Sequence, residues 1–401
     1  MTTAAETRRR VLLVTAEMRV PPVTGRERRY WQHVVALRPA AEVGVLVLDR
    51  RGTSAPPPEG VDWWRQCSAP WLEEVAEWMR QPDGHPSYGR LGPEALAALD
   101  ESLEEFKPDV VVVAGLWLHG HLDRLRGGDR HVILDAADVE AAIHEDLART
   151  AGRGERAVRA ALARRVAQVE EDAARSVDQI WACSEHDADL IRARYGAVPV
   201  SVVPNTVDVV SLCGERRARA GAPTVVYPAT FSYPPNEEAA LSLITEVHPL
   251  VQRHSRSALL NLVGAEPTAA MHAAAARTSG VTITGPVPDT RPWLWAATAM
   301  AAPLRHGSGT RIKLLEAFAA GVPVVTTTKG AEGLEVVDGE HVLIAHSPQE
   351  FADAIGDLHA SSESSLALTA RARQLVDSRY STTAARRAVG SALAQLPVRT
   401  P

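Results

Sequence analysis

Pro303-Leu304-Arg305-His306-Gly307-Ser308-Gly309-Thr310-Arg311-Ile312-Lys313-Leu314-Leu315-Glu316-Ala317-Phe318-Ala319-Ala320-Gly321-Val322-Pro323-Val324-Val325 is the stretch on which the fold of this 401-residue chain turns. It reads as strand, tight loop, helix, strand. Ala299 to Leu304 is an apolar run that breaks near Pro303. Gly307 and Gly309 open the loop to dihedrals that other residues avoid, and Thr310 is placed to cap a helix start. Ile312, Leu315, Phe318 and Ala319 recur at helical spacing. Gly321 followed by Pro323 is a stop signal. Val322 to Thr326 is then a β-branched strand whose proline sits near its start, where it is tolerated. A strand, crossover helix and strand of this kind builds a parallel sheet.

The loop ahead of that helix is where chemistry is expected. A helix N-terminus offers unpaired N–H groups and the positive end of a dipole. Arg311 and Lys313 fall in the first turn, where cations are unfavourable without a bound anion. The chain has 43 basic residues, and only Lys107, Lys313 and Lys329 are lysine, so one of three lysines falls here. Glu316 follows Lys313 by one helical turn on the same face. Two readings fit: an anion site, or a capped surface helix carrying a Lys–Glu pair.

His306-Gly307-Ser308-Gly309-Thr310-Arg311-Ile312-Lys313 followed by Glu316-Ala317-Phe318-Ala319-Ala320-Gly321-Val322-Pro323-Val324-Val325 resembles the signature of family 4 (group 1) glycosyltransferases. The resemblance implies an α/β protein of the GT-B fold, two Rossmann-like parallel-sheet domains facing across a cleft. It implies a retaining enzyme that uses a nucleotide-diphospho sugar as donor substrate, with no separate cofactor and no metal. Glu316 is then expected to hold the donor ribose. Arg311, Lys313 and the loop from His306 and Gly307 through Ser308, Gly309 and Thr310 are expected to hold the diphosphate. Many members carry an acidic residue eight positions before the glutamate. Ser308 stands there in this chain, a departure that bears on the sugar ring rather than on the ribose.

Composition narrows the class. The length suits two domains, and 45% apolar residues is ordinary for a globular chain. A net charge of −6 argues against a general nucleic-acid binder. Cys67, Cys183 and Cys213 are odd in number and scattered, which suggests free thiols in a reducing compartment. Arg8-Arg9-Arg10 is followed by only about five strand-like apolar residues, too few for a signal peptide or a spanning helix. The expectation is a cytoplasmic protein, and the Arg- and Ala-rich, Lys-poor composition suggests a GC-rich bacterial source.

In the first half, Val11 to Thr15 is a buried strand. The Pro21-Pro22-Val23-Thr24-Gly25-Arg26-Glu27-Arg28-Arg29 segment after it is a glycine-bearing loop opening a helix, a phosphate-cradle arrangement. No G-x-G-x-x-G is present, which argues against a dehydrogenase. Pro21, Pro22, Gly25 and Arg29 match a Pro-Pro-x-x-Gly-x-x-x-Arg pattern of the family resembled, so Gly25 and Arg29 are expected at the substrate. Arg26, Arg28, Arg29, Tyr30 and Trp31 make the helix Arg26 to Leu37 both basic and aromatic. That suits either contact with anionic lipid or an ordinary mixed core-and-surface helix. Val43 to Leu48 is the second strand. Residues 49–93 read as irregular and proline-rich, with Trp63, Trp64, Trp71 and Trp78 among the nine tryptophans. Such an insertion either binds something or covers a core.

Asp109 to Val113 is a strand that leads to Ala114-Gly115-Leu116-Trp117-Leu118-His119-Gly120-His121. The family places a histidine near the donor sugar about here, so His119 is expected to be catalytic, with His121 as the other register. His131 to Asp135 is a strand. Asp135 to Glu140 resembles an Asp-x-His-Asn-Val-Glu segment, with Ala137 in place of its histidine. Ser184, with Asp187 three residues on, reads as a helix N-cap at the end of the strand Asp178 to Cys183. The family places a serine here, so Ser184 is expected at the substrate. Asp187-Ala188-Asp189 lies inside that helix and is rejected as a metal-binding Asp-x-Asp. Val200 to Val203 leads to Pro204-Asn205-Thr206-Val207-Asp208, where the resemblance makes Asn205 a substrate contact.

In the second half, Thr224 to Tyr227 starts a second αβ series. Phe231-Ser232-Tyr233-Pro234-Pro235-Asn236 resembles one branch of the family, whereas most members place an Arg and a Lys here to hold phosphate. Their absence puts the phosphate on Arg311 and Lys313. Leu259 to Val263 and Val281 to Thr284 are strands, and the loop after the latter, with Val287, is expected near the nucleotide base. The flagged loops sit at the carboxyl ends of parallel strands, where open α/β sheets bind ligands. The expected domains are 1–209 for the acceptor, a linker at 210–222, 223–377 for the nucleotide sugar, and 378–401 as a helix crossing back. The expected reaction is transfer of a sugar to a hydroxyl of a small-molecule or natural-product acceptor. Transfer to a cell-envelope polysaccharide or glycolipid is one alternative. A non-catalytic nucleotide-sugar-binding protein is the other.

Overall fold

The computed structural model of the protein describes residues 8–20, 22, 24–49, 57, 59–69, 91–214, 221–307 and 309–396. Pro21, Trp71, Trp78 and Ser308 lie outside the described residues. The chain divides into two compact units, one of Met1–Asn205 with Ala385–Pro401 and one of Thr206–Ala384.

The first unit is built on a parallel sheet in the order β3-β2-β1-β4-β5-β6-β7. Its strands are β1 Arg9–Thr15, β2 Ala41–Asp49, β3 Trp63–Ser68, β4 Val110–Ala114, β5 His131–Ala136, β6 Gln179–Ala182 and β7 Val200–Val202. Central strands such as Val110-Val111-Val112-Val113-Ala114 are apolar throughout because both faces of the sheet are covered. Leu12, Val14, Leu46, Leu48, Val111 and Val113 pack on one face. Val11, Leu13, Val43, Val45, Val110 and Val112 pack on the other, together with Val389, Ala392 and Leu393 from the chain's last helix, Thr382–Ala394. Gln179 and Arg9 each donate a side-chain hydrogen bond to a carbonyl of that helix, at 3.1 and 2.6 Å.

β3 corrects the expectation of an irregular segment over 49–93. Trp63-Trp64-Arg65-Gln66-Cys67-Ser68 pairs with β2 in parallel, from Gly44 opposite Trp63 to Asp49 opposite Ser68. Its side chains are only half-buried, as befits an edge strand, so the sequence lacks a clean apolar run. Trp63 packs on the Phe106 ring with centroids 5.7 Å apart. Gly44 makes room for that ring: a Cβ there would lie 2.9 Å from Phe106. Trp63 and Trp64 therefore cover the core.

The second unit has the order β10-β9-β8-β11-β12-β13, again all parallel. Its strands are β8 Thr224–Pro228, β9 Leu259–Val263, β10 Val281–Ile283, β11 Ala299–Ala302, β12 Val324–Thr326 and β13 Leu343–Ile344. The order reverses between β8 and β11, so the loops leaving these two strands diverge and leave a crevice at the sheet's carboxyl edge. The segment expected as the linker is partly structured here. Val209–Leu212 is a short helix capped by Asp208, Leu212 is buried in this unit's core, and the Trp295 indole donates to its carbonyl at 3.0 Å.

Candidate functional site

The quoted stretch forms β11, a loop, the helix Ile312–Ala319 and β12. The helix closes as its sequence predicts: Gly321 takes φ 71°, and Val322 N–H bonds the Ala317 carbonyl at 2.8 Å. Its start differs. Thr310 does not cap; Arg311 is the cap residue, in an extended conformation and without a side-chain cap bond. Positive φ angles at Gly307 (108°) and Gly309 (71°) carry the backbone round, so the helix begins at Ile312. The Arg311 guanidinium folds back onto Gly307, where a Cβ would meet it at 3.0 Å. Thr326 donates to the Ala302 carbonyl at 2.7 Å and Thr327 to the Leu304 carbonyl, which fixes where the loop leaves the sheet.

Lys313 does not form the i,i+3 pair with Glu316 that its spacing allows. Its Nζ crosses to the switch point and donates to Asn236 Oδ1 at 2.8 Å and to Tyr227 Oη at 3.1 Å. It lies 4.4 Å from the centre of the Tyr227 ring. Tyr227 is fully buried at the end of β8 and donates its own proton to Asn236 Oδ1 at 3.0 Å. Asn236 is held in turn by its Nδ2, which donates to the Thr230 carbonyl at 2.9 Å. Burial, reinforced by the nearby Arg311 charge, pushes the Lys313 ammonium down to about 7. Burial likewise pushes the Tyr227 phenol up, so it serves Lys313 as a neutral dipole.

The remaining residues expected at the donor lie in the same unit. Gly307 and Thr310 are buried, while Gly309, Arg311 and Glu316 are half-buried. His306 Nε2 lies 3.5 Å from Glu238, which also meets Arg305 at 3.5 Å. Val287, in the loop after β10, is half-buried against the same core.

In the first unit the structure separates the predicted residues into interior and edge. Gly25 opens the helix Gly25–Leu37 and is exposed. The first turn is closed by a capping box: Glu27 N–H bonds Thr24 Oγ1 at 3.2 Å and the Glu27 carboxylate accepts from Thr24 N–H at 2.8 Å. Glu27 is fully buried and pairs with Arg19 at 2.5 Å. The phosphate cradle expected here thus carries its own carboxylate.

Arg29 is 1% exposed and points inward. Its guanidinium donates to Asp135 at 2.6 and 3.1 Å, to the Val203 carbonyl at 3.0 Å and to Asn205 Oδ1 at 2.9 Å. His33 Nε2 approaches the same carboxylate at 3.0 Å. Burial alone would raise the Asp135 carboxyl, but Arg29 and His33 hold it well below the usual carboxylate range. Arg29 and Asn205, expected at the substrate, are joined to each other inside the unit. Ser184 caps its helix and donates to Asp187 Oδ2 at 2.5 Å. Asp187 faces inward while Asp189 is exposed and pairs with Arg192, so the two do not share a face. His119 is half-buried on the short helical turn Leu116–His121 after β4. His121 Nε2 accepts from Leu91 N–H at 3.3 Å.

Sequence reasoning missed Tyr227 and Asn236 as the holders of Lys313, and Asp135 as the partner of Arg29. The signals were a tyrosine closing an apolar strand and an asparagine ending a Tyr-Pro-Pro-Asn run. Among the described residues no group of three His, Cys, Asp or Glu is placed to hold a metal ion, and no helix is long and apolar enough to cross a membrane.

The model of the glycosyltransferase family 4 domain matches residues 23–211, and that of glycosyl transferases group 1 matches residues 222–361. No curated protein sequence matches the chain. Among solved structures, sucrose-phosphate synthase from Thermosynechococcus elongatus is similar at a TM-score of 0.73 and 15% identity, over 97% of this chain and 99% of that one. HepE from Anabaena, solved with UDP and glucose, is similar at 0.71 and 12% over 97% and 100%. WaaG, a glycosyltransferase involved in lipopolysaccharide biosynthesis, is similar at 0.64 and 17% over 94% and 100%. These likenesses establish the GT-B fold, and the two domain matches together span most of the sequence. The chain belongs to the family 4 (group 1) glycosyltransferases.

Proposed function

We propose that this glycosyltransferase takes a sugar from a nucleotide-diphospho sugar to a hydroxyl of a small-molecule acceptor, with retention at the anomeric carbon and without a metal ion. The observation that carries the reading is the placement of Lys313. A half-buried ammonium held by two neutral partners, with Arg311 close by, is placed to receive an anion. A diphosphate leaving group supplies it.

In the reaction the bond from the anomeric carbon to the diphosphate oxygen breaks and the bond to the acceptor oxygen forms on the same face. The acceptor proton passes to the departing diphosphate. Arg311, Lys313 and the amides of the Gly307–Thr310 loop neutralise the charge that develops there, and such fixed electrostatics is usually the largest catalytic contribution. Glu316 holds the donor ribose and His119 contacts the sugar. Two fixed cations take the part that a divalent cation plays at other diphosphate sites. A soluble acceptor is supported by the helix Gly25–Leu37, where Tyr30 is buried and Trp31 is half-buried against the core.

Incubation with a panel of nucleotide sugars and hydroxylated acceptors, read by the anomeric configuration of the product, tests this. Retention of the donor's configuration is expected, with transfer lost in Lys313→Ala and Glu316→Ala. An inverted product would refute the mechanism. Nucleoside diphosphate binding that survives in both variants would refute the site.

A further inference from the structure

An ammonium has three N–H donors. Two of those on Lys313 are spent on Asn236 Oδ1 and Tyr227 Oη, and the third has no partner among the described residues. The two holders sit on separate elements. Tyr227 is the penultimate residue of β8, and Asn236 lies in the first turn of the helix Pro234–Ser242. Each is fixed before Lys313 arrives. Tyr227 is fully buried with its hydroxyl on Asn236, and Asn236 is anchored to the Thr230 carbonyl. The arrangement is preorganised: two neutral acceptors and a ring face hold a cation without neutralising it. A carboxylate in either place would quench the charge.

We propose that Asn236 and Tyr227 are positioning residues, which hold Lys313 Nζ in place with its last N–H reserved for the donor's diphosphate. This rests on the donor-site reading above and deepens it. The Pro-Pro-Asn run then has a specific task, since its asparagine does indirectly what a phosphate-binding side chain at the same loop would do directly. Tyr227 acts through its hydroxyl and through its ring, whose face attracts the cation.

A consequence separates this role from a merely structural one. The charged and titratable groups facing Lys313 are Arg311 from the loop and Tyr227 from β8, with Glu316 one turn further along its own helix. With burial and Arg311 holding the ammonium near 7, the empty site carries a lysine that is partly neutral at physiological pH. A diphosphate restores its proton. Binding therefore takes up a proton above pH 7. Loss of the lysine proton weakens affinity on the order of tenfold between pH 6.5 and pH 8.5.

The test is isothermal titration calorimetry with UDP, ADP, GDP, CDP and dTDP on the full chain, continued with whichever binds most tightly. It is run at pH 6.5 and 8.5 in buffers of different ionisation heat. Lys313→Met is the reference that removes the nucleotide's own titration. Wild type is expected to show proton uptake and a pH effect on the order of tenfold relative to that reference. Asn236→Asp, which keeps the side chain's shape, is expected to lose both and to bind about tenfold more weakly at pH 6.5. Asn236→Ala and Tyr227→Phe are expected to weaken binding and to raise the donor KM more than they lower kcat. If Asn236→Asp binds and takes up protons as wild type does while Lys313→Met is weak, the positioning role is overturned and the donor site stands. If Lys313→Met binds as wild type, or none of the five nucleotides binds, the donor-site reading itself falls.

Discussion

Arg29 was expected at the substrate and stands instead in the interior, so its substitution distinguishes a pin from a ligand. The guanidinium is 1% exposed and Asp135 is 0% exposed. Five N–H···O contacts between 2.6 and 3.1 Å join helix Gly25–Leu37 to the end of β5 and to the segment after β7. Asp135→Asn keeps the shape but leaves a buried guanidinium without its counter-charge. Breaking one side of such a pair costs about 3–5 kcal/mol. Arg29→Lys keeps the charge but loses the fork that reaches three partners at once, and should cost about 2–3 kcal/mol. Urea unfolding at pH 7, fitted as two transitions because the chain has two units, should show the loss in the first unit alone. The sign with pH follows from the depressed Asp135 carboxyl. Its stabilisation is present above the ordinary carboxylate range, about 4, and is lost as pH falls toward the native value. The gap between wild type and Asp135→Asn should therefore shrink below about pH 4. Nucleotide-sugar KM should not move in Arg29→Lys. A stability loss under about 1 kcal/mol, or a raised donor KM without any stability loss, would show that Arg29 serves the substrate.

Three further outcomes follow from local geometry. Gly307→Ala puts a Cβ at a φ of 108° and 3.0 Å from the Arg311 guanidinium; at a strain of about 1–2 kcal/mol it should weaken nucleoside diphosphate binding roughly tenfold, and an unchanged Kd would mean the loop does not touch the phosphates. Gly264→Ala would place a Cβ 1.9 Å from the Ala229 carbonyl oxygen at a φ of 140°, a clash with backbone that no rotamer relieves, so the second unit should melt well below wild type or fail to fold. Glu170 accepts from Glu140 N–H at 2.7 Å and pairs with the Tyr195 hydroxyl, and burial, against those hydrogen bonds and with the neighbouring Glu140 charge, pushes its carboxyl up to about 7. Because the native value lies above the unfolded one, stability falls as pH climbs from about 4.5 to 7. Glu170→Gln should gain stability at pH 8 and not at pH 4, and equal melting curves at pH 8 would rule this out.

Much of the architecture was legible because parallel strands buried on both faces announce themselves. Val110 to Val113, Val11 to Val14 and the Ala299–Val325 unit could be read from apolar runs and glycine stops alone. β3 was not legible, since an edge strand with half-buried Trp, Arg and Gln shows no period. The loop proposed to hold the donor stood out by its glycines, cations and Glu316. Its helix start could not, because the turn is set by φ angles at Gly307 and Gly309 rather than by a capping side chain.

The amino-acid sequence by itself determined the fold class and singled out the Pro303–Val325 stretch, because periodicity, stop signals and misplaced charge are local properties. Only the tertiary structure decided what each cation does. Lys313 meets neutral partners 77 and 86 residues away, while Arg29 meets the Asp135 carboxylate across 106 residues. Both look alike as basic residues near a glycine loop. The difference is the sign of the partner that the folded sheets bring to each: neutral dipoles at one edge, a buried carboxylate at the other.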